Sequence, residues 1–124
     1  MSRAAACLLA AALALSPLAA PAQEVRAASG GVLRWLDTVS GVAVDIELSR
    51  GESAARGRLT MQLDECRYPV DNPSADAFAH VTIRDRLVPD APVFSGWMIA
   101  SSPALSALDH PRYDVWLIRC IIEE

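Results

Sequence analysis

The sequence predicts a mostly β protein: a small antiparallel β-sandwich or barrel with one short helix, following an N-terminal signal peptide. Three observations predict it. Several short runs alternate apolar and polar residues at period two, the pattern of strands with one wet face. The 8 prolines and 6 glycines separate most of those runs by turns, too closely for strand–helix–strand units. Two cysteines, Cys66 and Cys120, lie far apart after the leader and read as one cross-link.

The leader comes first. Ser2 and Arg3 give a short positive start, and Ala4 to Leu15 is an unbroken run of Ala, Leu and Cys. Ser16 and Pro17 break the run, and Ala20-Pro21-Ala22 offers small residues where a signal peptidase reads. Cleavage after Ala22 is expected, so residues 1–22 form the signal peptide and the mature protein is periplasmic. The rival reading, an uncleaved anchor, needs about 20 apolar residues, more than this run holds. Cys7 stands near the beginning of the run, not at its end, and is no lipidation site. No transmembrane segment is expected after cleavage.

Residues 23–31 are small and polar and read as a flexible lead-in to one β domain over 32–124. Val32 to Leu36 is a short β-prone run. Val42, Val44, Ile46 and Leu48 alternate with Ala43, Asp45 and Glu47 as a strand, and residues 49–52 turn the chain. Leu59, Met61 and Leu63 begin a second half-buried strand running to Cys66. The Tyr68 to Ser74 segment, with two prolines, reads as a loop. Ala79, Val81 and Ile83 alternate with His80, Thr82 and Arg84 as a further strand. Pro89 and Pro92 bracket a loop, and Val93 to Ala100 is nearly all apolar, which predicts a central strand. Ser102 as N-cap, Pro103 at the first position and Ala104 to Leu108 predict the helix, which His110-Pro111 ends. Val115 to Ile122 is the last strand.

Charge narrows the function classes. The net charge is −4 and becomes more negative without Arg3, so nothing attracts nucleic acid or an anionic lipid surface. Every cation is Arg, a bias that suits a GC-rich genome. The absence of Lys excludes a Schiff-base lysine, a Ser–Lys dyad and a Walker A lysine. In an oxidising compartment Cys66 and Cys120 pair as a structural disulfide. It closes a loop of about 55 residues, worth about 4 kcal/mol in chain entropy. No CxxC and no zinc spacing exists, so neither a redox pair nor a metal site is expected.

The run from Phe94 through Gly96-Trp97, Ser101-Ser102-Pro103 and Asp109-His110-Pro111-Arg112-Tyr113-Asp114-Val115-Trp116 to Cys120 resembles the signature of the DUF2155 family of small exported alphaproteobacterial proteins. Leu36 to Gly41, Gly57-Arg58-Leu59, Cys66 and Ala77-Phe78 also fit, and the resemblance spans nearly all of the chain after the leader. Arg56 departs from the family's pattern, which favours an aromatic before that glycine. The resemblance implies an envelope location and a compact architecture, and it carries over no catalytic residue.

Three constellations remain. Ser101, Ser102 or Ser106 with His110 and Asp109 or Asp114 has the residue types of a hydrolase triad, but adjacent Asp109 and His110 rarely orient one another, and no nucleophile elbow exists. Local backbone bonding is the default for these residues. His80 and His110 are too distant in sequence for a metal pair, and Asp71 to Asp76 lacks calcium-loop spacing. Trp97 and Trp116 read as core, which leaves Trp35 as the exposed candidate. The 101–114 connection, at about 14 residues, is long enough to carry function. The expectation is therefore a non-catalytic interaction or accessory module for an envelope or periplasmic protein, without a cofactor. Its expected binding residues are Trp35, Ser101, Ser102, Asp109, His110 and Tyr113. The alternatives are a carbohydrate or peptidoglycan binder and a weak serine hydrolase.

Overall fold

A computed structural model describes Pro17 and residues 23–123. The expected leader and its cleavage site lie outside the described residues. Eight strands form: β1 (Val25–Ala27), β2 (Gly30–Asp37), β3 (Ala43–Ser49), β4 (Ser53–Arg56), β5 (Leu59–Pro69), β6 (Phe78–Asp85), β7 (Phe94–Ile99) and β8 (Tyr113–Ile121). They make two antiparallel sheets and no closed barrel. In one sheet the order is β1-β5-β6-β7, with β4 sharing the β5 edge that β1 also uses; in the other it is β3-β2-β8.

The period-two runs become strands whose apolar side faces the other sheet. Leu59, Met61 and Leu63 of β5 and Val81 and Ile83 of β6 are fully buried, and they meet Leu33 of β2 and Val115 and Leu117 of β8. Each such side chain contributes roughly 1.5–3 kcal/mol by leaving water. The disulfide forms between Cys66 and Cys120, with Cα atoms 5.7 Å apart. It ties β5 to β8, one strand from each sheet. Gly31 lies beneath it: a Cβ there would stand 3.1 Å from the Cys66 sulfur and 3.3 Å from the Arg119 carbonyl oxygen.

Four expectations are corrected. The helix after Ser102 does not form; residues 101–110 are turn and irregular, and the Ser102 carbonyl accepts a single turn bond from Leu105 N–H. Leu108, the residue that would have propagated it, is buried in the core instead. The lead-in contains β1, which pairs Val25 to Ala27 with Arg67 to Pro69. Tyr68 and Pro69 therefore belong to β5 and not to a loop, because Pro69 ends the strand at its margin. Finally, β7 is an edge strand: it pairs only with β6, and Ser95 and Trp97 point outward.

Candidate functional site

The outer face of the larger sheet carries the most exposed tryptophan for which burial alone gives no reason. Strand register sets its rows. Glu65, His80 and Trp97 lie side by side across β5, β6 and β7; Arg67, Phe78 and Ile99 form the next row. The pairing of β5 with β6 slips between Leu63 and Glu65, so Asp64 is an extra, bulged residue. Leu63 and Cys66 still face the core, and the two acids between them both reach the outer face. Asp64 accepts hydrogen bonds from Thr82 Oγ1 at 2.7 Å and pairs with His80 Nδ1 at 2.7 Å. Glu65 pairs with Arg67.

Trp97 is 41% exposed and held from two sides. The Arg67 guanidinium lies 5.3 Å from its ring centroid, in cation–π geometry. The His80 ring meets it edge-on at 5.4 Å. Gln23, Val25 and Phe78 complete a shallow hollow of about 260 Å³ beside the indole. The result is an aromatic surface flanked by Arg67 and His80, each of which is oriented by a neighbouring carboxylate.

The residues expected to bind lie in separate surroundings. Trp35 is 7% exposed; its ring packs 5.3 Å from Tyr113, and its Nε1 has no hydrogen-bond partner. His110 is buried. Its Nδ1 accepts from the amides of Arg112 at 3.0 Å and Tyr113 at 3.2 Å, so Nε2 carries the proton that is donated to Asp85 at 2.9 Å. Arg58 completes this knot with two bonds to Asp85, the shorter 2.6 Å. Those Arg58 bonds, then His110 and the Leu87 amide, hold the Asp85 carboxyl far below the usual carboxylate range. Alongside, Arg112 makes two bonds to Asp37 and holds that carboxyl down at about 2.

Ser101 is elsewhere. Its hydroxyl donates to Asp76 at 2.7 Å and its amide to the same carboxylate at 3.0 Å, at the rim of a cleft of about 350 Å³ beside Ile118 and Cys120. Among the described residues no serine bonds to His110, and Asp109 is exposed without a bonded partner, so the triad arrangement is not assembled. The structure thus brings together Trp35, His110 and Tyr113 as packing, and sets Ser101 and Ser102 apart from them.

Trp97, Arg67, His80 and Asp64 went unrecognised in the sequence. The alternation of β6 did place His80 on a polar face. What hid Trp97 was the apolar run around it, which reads the same in a buried strand and in an edge strand with one open face. The signal that could have found it is the Phe94-Ser95-Gly96-Trp97 order, in which Ser95 and Trp97 share one side.

Comparison with known proteins gives two matches. An uncharacterized protein of Rickettsia prowazekii (strain Madrid E) is 27% identical over 99 residues, which is 78% of this chain and 64% of that relative, so the chain spans less than two thirds of the relative's length. No solved structure matches. The profile described as "Uncharacterized protein conserved in bacteria (DUF2155)" matches residues 31–120, from the start of β2 to the second disulfide cysteine, and on that match the chain belongs to the DUF2155 family.

Proposed function

We propose that this protein is an exported, periplasmic, non-catalytic interaction module of the cell envelope, and that it binds through the outer face of its larger sheet, around Trp97. The observation that carries the reading is the exposed indole clamped between Arg67 and His80. Trp and Arg dominate binding energy at protein interfaces, and pre-positioned side chains lose little freedom on binding. The export part rests on the sequence of residues 1–22, and the disulfide supports it, since disulfides persist in oxidising compartments. No helix among the described residues is long and apolar enough to cross a membrane.

The test compares wild type with Trp97→Ala, each tagged and cross-linked in the envelope, and asks which co-purifying protein depends on the indole. A stoichiometric partner lost in Trp97→Ala, with thermal stability changed by no more than about 1 kcal/mol as for a surface site, supports the proposal. A partner set unaffected by the substitution removes this face from the reading. Trp35→Ala is the contrasting control: it should cost roughly 3–5 kcal/mol as a buried aromatic, and so reports folding, not binding.

A second reading has its own support. An open indole with hydrogen-bonding neighbours is also what stacks on a sugar ring. Muropeptide titration should then shift tryptophan fluorescence in wild type and not in Trp97→Ala. No shift in either counts against a glycan ligand.

A further inference from the structure

Sheet edges are where a β protein most readily gains a partner, and natural proteins guard them. Strand β8 has one edge with no strand paired to it. Its nine residues pair with β2 on one side only, and among the described residues no backbone bond from outside the ladder reaches residues 114–121. It contains no Pro; its ladder has one irregularity, at Ile118, and Ala100 and Ser101 share a cleft with Ile118 and Cys120 at its far end.

Its charges are arranged in a particular way. Asp114, Trp116 and Arg119 share the outer face of the smaller sheet, opposite Leu36, Arg34 and Val32 of β2. The shared face survives the ladder irregularity at Ile118, which shifts Arg119 back into phase with Trp116. Asp114 and Arg119 are both exposed, and neither makes a salt bridge among the described residues, though Arg119 lies near enough to Asp45 to help hold that carboxyl low. The strand thus holds one negative charge near its start and one positive charge near its end, with Trp116 between them.

Such a strand is complementary to itself. In an antiparallel pair the start of one copy meets the end of the other, so Asp114 of each copy lies against the partner's Arg119, twice over by symmetry. Strands β3 and β7 lack this property. The only charges of strand β3 are acids, Asp45 and Glu47, with Asp45 already held by Arg34, so it offers no positive charge of its own to a second copy. Strand β7 is short and has Ser106 of the long connection close beside Gly96.

We propose that β8 is the interface of a two-fold dimer, in which two copies pair antiparallel along their free edges and continue the smaller sheet across the axis. The inference does not rest on the binding face around Trp97, which lies on the other sheet.

The experiment is sedimentation equilibrium of the oxidised protein up to about 100 µM, a range that detects an interface at the weak end of the stable size class. Wild type should sediment as a dimer. Asp114→Arg alone and Arg119→Asp alone each place like charges together at two points and should weaken the dimer roughly tenfold or more. The double reversal Asp114→Arg/Arg119→Asp restores complementarity and should restore the dimer. Because both side chains are exposed, the variants should keep the wild-type circular dichroism spectrum, which checks that they fold. A wild type that stays monomeric throughout the range overturns the proposal. So does a dimer indifferent to both single reversals, or a double reversal that fails to recover it while remaining folded.

Discussion

Replacing Gly57 by alanine separates a conformational penalty from a packing penalty in one small series. Gly57 joins β4 to β5 with φ +57, and Gly41 and Gly51 hold turns with φ 76 and 81. An alanine in this left-handed region costs roughly 1–2 kcal/mol, part of which is offset by about 0.4–1 kcal/mol from the stiffer unfolded chain. Nothing lies within 4 Å of a Cβ built on Gly41 or Gly51, so each should lose no more than about 1.6 kcal/mol. At Gly57 the added carbon would stand 2.6 Å from the Tyr113 hydroxyl oxygen, 2.9 Å from its ring carbon and 3.2 Å from the Trp35 ring. Neither ring can step aside, because Tyr113 packs against both Trp35 and His110 and its hydroxyl accepts the Arg58 amide. Overpacking of a rigid site adds about 1–3 kcal/mol, so Gly57→Ala should lose roughly 1–4.5 kcal/mol in total, the larger share from packing. Urea unfolding of the oxidised protein, followed by near-ultraviolet circular dichroism, reads all three variants. Equal losses at the three glycines would refute the close packing of Tyr113 on that turn.

Two further perturbations test the two ends of the sandwich. Cys66→Ala/Cys120→Ala should lower unfolding free energy by about 4 kcal/mol from the released loop, and reductant should reproduce the shift in wild type; an unchanged urea midpoint in both would contradict the cross-link as a stabilising element. The carboxyl of Asp37 has an ordinary value of 3.8 and is held at about 2 when folded, first by its bonds to Arg112. The unfolded chain therefore binds the proton more tightly, and the stabilisation is complete above about pH 5 and disappears as pH falls through the folded value. Asp85 acts in the same direction and over a lower range, through Arg58 and His110. Urea midpoints measured from pH 6 down to pH 2.5 should fall with acid in wild type and fall less in Asp37→Asn; parallel profiles would remove the Arg112 pair from the explanation.

Where the alternation was strict, as in β3, β5 and β6, strand and buried side could both be read, because only one set of side chains is apolar. The Cys66–Cys120 pairing was read from the expected oxidising compartment and the expected loss of Cys7 with the leader, which left one pair to form. Other features depend on partners distant in sequence. Strand β1 consists of Val25, Arg26 and Ala27, which have no amphipathic pattern; it exists because the far end of β5 offers an edge. The helix after Ser102 had a plausible cap and propensity, but Leu108 gains more by entering the core than one turn of helix can supply. The role of His110 was half legible: its contact with nearby amides is local, while Asp85 is 25 residues away. The bulge at Asp64 had no local signal, and with it the outer-face cluster stayed hidden.

The division of polar residues between the two surfaces argues where recognition belongs. At one end of the sandwich Arg58, Asp85, His110, Arg112 and Asp37 join the turn before β5, the end of β6, the start of β8 and the end of β2. At the other end the disulfide joins β5 to β8. Both sets are accounted for by holding two sheets in register, and exchanging their members should be felt as lost stability. The set around Trp97 joins nothing that the ladder does not already join: Asp64, Glu65, Arg67, His80 and Thr82 lie on neighbouring strands of one sheet, whose backbone bonds fix their spacing. Threonines would satisfy that face equally well. What the carboxylate pairs add is a fixed orientation for one exposed indole, with Arg67 against its ring and His80 against its edge. Ordering side chains at a surface has an entropic cost with little return in folding free energy. The same ordering lowers the cost of a later association, which is why the outer face around Trp97, and not the long connection from Ser101 to Asp114, is the surface to test first.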